Sequence, residues 1–303
     1  MSKIVVVGSI SMDLVMRTKR IPEGGETIFG DSFNIVPGGK GANQAVAIGR
    51  LSSVEDNIYI FGNVGEDIFS ADLLSNLQNN NISTEHVGTV PQSTGVAQIT
   101  LYGGDNRIIY YPGANNLVKT NDWKNEWELI SDASIVVLQN EIPHEANLSI
   151  AKFCQENQVK VLYNPAPARE TDKEMIPFCD FITPNEHECS ELFPDKKLDE
   201  IIKIYPNKMI VTLGVEGSIY HDGTAVKKIP AIKAEVVDTT GAGDTFNGAF
   251  AYAISKGKEM NVALSFATIA SHLSVQRFGA QGGMPSLKEI KEHSGYEEIW
   301  DFK

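Results

Sequence analysis

The chain has 303 residues, 42% hydrophobic and 21% charged, with a formal net charge of −13. This is ordinary globular composition, long enough for one large α/β domain or two smaller ones. The acidic balance, with no lysine or arginine block, argues against nucleic-acid binding, which needs a basic face.

Ile4-Val5-Val6-Val7-Gly8 opens the chain as a short continuous apolar run. Similar runs recur at Ile58–Gly62, Ile135–Leu138, Val159–Tyr163 and Lys208–Leu213. Such runs fit strands covered on both faces. Helical patterns lie between them at 43–51, 67–79, 144–157, 185–193 and 197–205, and three more close the chain at 243–256, 261–276 and 286–293. Strand–helix alternation predicts a mostly parallel sheet wrapped by helices.

Two stretches break this rhythm. Residues 14–36 mix apolar and polar positions around Pro22, Gly24, Gly25 and Gly30. Residues 94–111 alternate, with Ala97, Ile99 and Leu101 facing one way and Gln98, Thr100 and Tyr102 the other. Gly103-Gly104-Asp105-Asn106 reads as a turn, and Arg107 to Tyr111 as the return strand. These inserts predict antiparallel strands with one solvated face, forming a small sheet over one side of the core or plain extra edge strands.

The three cysteines, Cys154, Cys179 and Cys189, make no Cys-x-x-Cys pair, and their odd number argues against a disulfide framework. No basic leader, cleavage site or apolar run near the ~20 residues of a membrane span is present, which reads as a cytoplasmic protein without membrane contact.

Two glycine-rich turns lead into helices. Val237-Asp238-Thr239-Thr240-Gly241-Ala242-Gly243-Asp244-Thr245-Phe246 sets a carboxylate in a first helical turn, beside amides that suit a phosphate. As a lone tetrapeptide, Gly-Ala-Gly-Asp would be only a tight loop. Phe246, Phe250 and Ala253 behind it fall at helical spacing and predict a buried helix aimed at a polar turn. Pro37-Gly38-Gly39-Lys40-Gly41-Ala42-Asn43-Gln44-Ala45 is the second turn. It lacks the phosphate-loop spacing, and Lys40 and Asn43 suit polyol hydroxyls as well as an anion.

No Gly-x-Gly-x-x-Gly follows the first strand, no His-x-x-x-His pair suggests zinc, and no Gly-x-Ser-x-Gly elbow occurs. Ligands of open α/β sheets bind beyond the strands' carboxyl ends. Ser11, Asp13, Glu141, Asn164, Asn185, Glu188, Thr212 and Gly214 all follow that placement.

On these residues the chain resembles the PfkB carbohydrate-kinase family along almost its whole length. Gly38-Gly39-Lys40-Gly41-Ala42-Asn43 is similar to the family's N-terminal signature, and Asp238–Thr245 to its highly specific C-terminal one. Asn164–Arg169 and Pro184–Glu188 add to the likeness. The resemblance implies a three-layer α/β/α single kinase domain over 1–303, with a β-lid built from inserts at about 14–36 and 94–111. It implies phosphoryl transfer from ATP to the primary hydroxyl of ribose.

Asp244 would be the general base, and in the Gly241-Ala242-Gly243 turn the amides of Ala242 and Gly243 would form an anion hole. Ser11, Asp13, Gly39, Lys40, Asn43 and Glu141 would bind the sugar. Asn185, Thr212, Gly214, Gly217 and Thr268 would line the nucleotide cleft. Glu188 would organise magnesium through water. Asp238, Thr240, Ser274, Arg277, Gly279 and Gly283 would hold a potassium ion. The lid would also join a homodimer.

Two positions depart from the family pattern. Ser11 stands where ribose-phosphorylating members usually have Asn, and Thr268 where the family often has Asn or His. Ser11 therefore keeps deoxyribose, ketose and nucleoside kinases open beside ribose, and Thr268 bears on strictness for ATP. A non-catalytic sugar or nucleotide sensor would lack the base or the anion hole, and the sequence keeps both. An ordinary aspartate, ionised at neutral pH, need only orient the hydroxyl and take its proton late in a loose transition state. Most of the rate would then come from positioning and charge stabilisation.

Overall fold

The computed structural model describes residues 2–103, 105–121, 123 and 125–302. In chain order its elements begin with β1 (Lys3–Val7), β2 (Ser11–Arg17), β3 (Ser32–Gly38), α1 (Lys40–Leu51), β4 (Asn57–Gly65), α2 (Ser70–Asn79), β5 (Ile82–Ser83) and β6 (Val87–Val90). Next come β7 (Gly95–Tyr102), β8 (Asp105–Tyr111), α3 (Asn125–Ser131), β9 (Ile135–Gln139), α4 (His144–Glu156), β10 (Lys160–Asn164) and β11 (Phe181–Ile182). The chain ends with α5 (Glu186–Leu192), α6 (Leu198–Ile204), β12 (Ile210–Thr212), β13 (Ser218–His221), β14 (Val226–Ile229), α7 (Ala242–Ser255), α8 (Met260–Ser274) and α9 (Leu287–Glu292).

The apolar runs form a parallel sheet in the order β11-β10-β9-β1-β4-β5, with β6 beside the end of β4. Parallel bridges from Ile182 to Met209 and from Asn185 to Thr212 carry it on to β12, beyond which β13 and β14 pair antiparallel. Alternate strand residues enter opposite cores. Ile4, Val6, Ile58, Ile60, Ile135 and Val137 pack against α1, α7 and α8. Val5, Val7, Val136, Leu138 and Val161 pack against α4 and α6. Both faces are covered, which is why the runs carry no polar alternation. The result is helix, sheet and helix in layers, as the sequence predicts.

The two inserts meet in a second, four-stranded sheet of order β3-β2-β7-β8. Its outer pairs are antiparallel, and β2 and β7 join them through a parallel central pair. The turn expected at 103–106 closes a β7–β8 pairing that runs as far as Tyr102 and Asp105; Gly104 itself lies outside the described residues. One face of this sheet carries Asp13, Val15, Ala97, Ile99 and Tyr110, and the apolar members form a small cluster of their own. The opposite face exposes Phe33, Ile35, Ile109 and Tyr111. Among the described residues no helix is long and apolar enough to cross a membrane.

Candidate active site

Asp244 is the third residue of α7, and Gly241 is its N-cap in the left-handed region at φ 76°. A Cβ at Gly241 would also stand 2.8 Å from Ala280, so both conformation and space require glycine there. Gly243 differs. It has no positive φ, and a Cβ would meet nothing within 4 Å. Its amide and that of Asp244 find no partner among the described residues, whereas the Ala242 N–H turns inward to the Thr239 carbonyl at 3.2 Å. Of the two donors first expected, Gly243 is open and Ala242 is engaged. Open N–H groups at a helix start form an anion site with the helix dipole behind them.

The Asp244 carboxylate is buried and held from two sides. Asn43 Nδ2 donates to Oδ2 at 2.9 Å, and Gln44 Nε2 donates to Oδ1 at 3.0 Å. Both donors lie in the first two turns of α1, which packs along α7. Each is itself fixed: Gln281 Nε2 donates to Asn43 Oδ1, and Gln139 Nε2 to Gln44 Oε1. Asn164, at the end of β10, accepts from Gln44 Nε2 and donates to the Thr183 carbonyl. This amide chain orients the carboxylate before any ligand arrives. Sequence reasoning placed Asn43 and Asp244 but missed Gln44, Gln139 and Gln281. Their signal is present only as amides on otherwise apolar patterns.

Four acids surround one base. Glu141 accepts from the Lys40 backbone N–H at 2.9 Å and the Ser9 hydroxyl at 2.6 Å, tying β9's exit to the start of α1. Burial alone would lower the Lys40 ammonium, but Asp244, Glu141, Glu188 and Asp13 hold it above the usual lysine value. Asp13, on β2, is pushed up to about 7 by burial first, then by Glu141 and Asp244, with Lys40 opposing. Its carboxylate accepts no hydrogen bond from the described residues. Unpaired acceptors in an acid-rich cleft suit a ligand rich in hydroxyl donors.

Asn185 caps α5: its side chain accepts from Glu188 N–H, and Glu188 Oε2 accepts from Asn185 N–H. Burial raises Glu188. Thr212 pairs with Asn185, and Gly214 and Gly217 make the turn after β12. The Thr268 hydroxyl is buried and donates its proton to the Leu264 carbonyl, which leaves its oxygen only as an acceptor.

Asp238 bridges two segments, accepting from Thr240 N–H and Gly279 N–H at 2.9 Å each. Gly283 lies so close to the Ser274 carbonyl that a Cβ would stand 2.0 Å from it. The Arg277 side chain is exposed and pairs with Glu289. Among the described residues no group of three or more His, Cys, Asp or Glu could hold a metal ion. A cavity of about 560 Å³ separates the second sheet, at Arg17 and Leu101, from Val236–Thr240 and Phe278.

Residues 1–287 match the model of the pfkB family of carbohydrate kinases. The chain is 62% identical to the ribokinase of Lactococcus lactis over 96% of each protein. It is 44% identical to that of Bacillus subtilis, covering 96% of this chain and 99% of the relative. Its fold superposes on the structure of Arabidopsis thaliana ribokinase complexed with ribose and ATP with a TM-score of 0.87, 32% identity and full coverage of both chains. The chain belongs to the pfkB carbohydrate-kinase family.

Proposed function

We propose that the protein is an ATP-dependent ribokinase, transferring the γ-phosphoryl group to O5 of D-ribose to give D-ribose 5-phosphate and ADP. The observation that carries this reading is the Asp244 carboxylate, fixed by Asn43 and Gln44 beside the unpaired amides of Gly243 and Asp244. The 62% identity to a ribokinase and the fold match to a ribose- and ATP-bound one support the substrates.

In this reading Asp244 orients the O5 hydroxyl and accepts its proton as the phosphoryl group leaves ADP. The Gly243 amide, flanked by Gly241 and Ala242, stabilises charge on the transferring group. Asp13, Glu141 and Asn43 hold the sugar hydroxyls, with Gly39, Lys40 and Ser11 around them. Lys40 is the positive charge of an otherwise acidic site. Asn185, Thr212, Gly214 and Gly217 line the nucleotide cleft.

Magnesium and potassium fit the residues present. Glu188 keeps Oε1 without a protein partner among the described residues, which suits an outer-sphere contact to a hydrated magnesium; that ion would neutralise phosphate charge. The Asp238 carboxylate, which ties Thr240 to Gly279, supports an all-oxygen donor set in which the Thr240, Ser274, Arg277, Gly279 and Gly283 carbonyls would join that single carboxylate. Such a set suits a monovalent cation that would stiffen the turn before Gly241. The exposed apolar face of the second sheet supports its use as both lid and homodimer contact, within a single cytoplasmic kinase domain.

An ADP-release assay over ribose, deoxyribose, ketoses and nucleosides, with and without potassium, tests the whole reading. Ribose should be the best acceptor, and potassium should raise the rate. No ADP release with any sugar would overturn it.

A further inference from the structure

Ser11, Asn115 and Tyr110 form a hydrogen-bonded trio where the second sheet meets the sugar side of the site. Asn115 Nδ2 lies 3.0 Å from Ser11 Oγ, 3.0 Å from Tyr110 Oη and 3.2 Å from the Ile10 carbonyl. Its Oδ1 accepts from Ile10 N–H. Ser11 Oγ and Tyr110 Oη are 3.3 Å apart. Space for the trio depends on Gly95, where a Cβ would stand 2.3 Å from Asn115 Nδ2 and 2.6 Å from Ser11 Oγ.

The protons do not balance within the trio. Asn115 shares two N–H protons among three acceptors, Ser11 Oγ, Tyr110 Oη and the Ile10 carbonyl, and its amide nitrogen cannot accept in return. The two hydroxyls bring one proton each, and a single proton serves the contact between them. One O–H is therefore left without an acceptor. Ser11 is fully enclosed, at 0% exposure, so its proton has only Tyr110 to meet. The proton left over is the tyrosine's.

Tyr110 also points the right way. Asp13, Ala97 and Tyr110 are cross-strand neighbours in one row on the same face of the sheet. Ala97 between them is small, so the ring can lean towards Asp13. Of the residues of β8, Tyr110 alone is not exposed. Burial raises its phenol, and the charges of Glu141 and Asp13 raise it further, which places it among the sugar-side acids.

We propose that Tyr110 is a substrate-contacting, specificity-determining residue whose spare hydroxyl proton is donated to an oxygen of the sugar. The inference rests on the kinase reading above and deepens it. The body supplies mainly acceptors in Asp13, Glu141 and Asp244. Tyr110 adds a donor from the opposite wall, so a sugar oxygen must be present there to receive it.

Tyr110→Phe keeps the ring and removes only the hydroxyl. The KM for ribose should rise roughly three- to tenfold, the worth of a neutral hydrogen bond. The KM for ATP should not change. A series of singly deoxygenated riboses locates the contact: for the analogue lacking the receiving oxygen, wild type and variant should have equal KM. An unchanged ribose KM would overturn the inference, as would a uniform rise across ribose and every analogue, which marks a brace for the sheet. A wild-type protein that phosphorylates no sugar would sink the kinase reading itself, whereas normal wild-type turnover with an indifferent Tyr110→Phe would sink this inference alone.

Discussion

The two carboxylates at the centre of the site come from opposite kinds of structure. Asp244 stands on a helix buried between α1 and α8, in the part of the molecule whose sheet is covered on both faces. Asp13 stands on a four-stranded sheet with one face in solvent. Asp244 is gripped by two amides that are themselves gripped; Asp13 accepts no hydrogen bond among the described residues. Under the proposed reading the contrast separates two tasks. A proton acceptor must be in place before the reaction, so its orientation is built into the core. A sugar-binding acid can wait, because the hydroxyls it receives complete its hydrogen bonds.

Breaking the fixed side should cost the most. Asp244→Asn should lower kcat by roughly a thousandfold, the scale of a lost general base. The new amide also sets an NH2 group against the donors of Asn43 or Gln44, so ribose binding by calorimetry should accompany the kinetics. Near-normal turnover would remove Asp244 from the chemistry. Next come the two glycines beside it. Gly241→Ala should unfold at a lower temperature, since it forces a Cβ into φ 76° and against Ala280. Gly243→Ala should fold normally, because its Cβ meets only open space, yet that Cβ would stand where a phosphoryl group approaches the amide and hold it off the donor, which should cost about a hundredfold in kcat. Equal stability losses in the two variants would show that Gly243 serves packing and not a ligand.

What the sequence revealed divides along the same line. Runs such as Ile135–Leu138 and Val159–Tyr163 announce a covered parallel sheet because nothing else buries both faces of a short segment. The Gly241–Asp244 turn is legible because glycines and an acid before an apolar helix have few other uses. The hairpin of β13 and β14 was not read: its strands are four residues each, and Lys227 and Lys228 hide the alternation. The exchanged amides of Gln44, Gln139 and Gln281 were equally silent, since a buried glutamine is recognised only by partners far away in sequence. Nor could spacing reveal that the Ala242 amide turns inward or that the Thr268 hydroxyl is spent on its own helix.

The waiting side is best probed through its protons. Burial and the charges of Glu141 and Asp244 push Asp13 up to about 7 from the ordinary aspartate value of 3.8. A raised acid favours its protonated form in the fold, so its contribution to stability is complete below about 4 and is lost as pH rises through about 7. The ligand-free protein should therefore lose denaturant resistance across that window, and Asp13→Asn, which cannot ionise, should lose less. Sugar binding should run the other way. The charged carboxylate is the better acceptor, so wild-type affinity for ribose should rise as pH passes 7, while Asp13→Asn should bind roughly tenfold more weakly above that pH and show a flatter profile. A variant whose stability and ribose affinity both follow the wild-type pH curves would mean that Asp13 carries neither the strain nor the sugar, and the division between a fixed acid and a waiting one would fail with it.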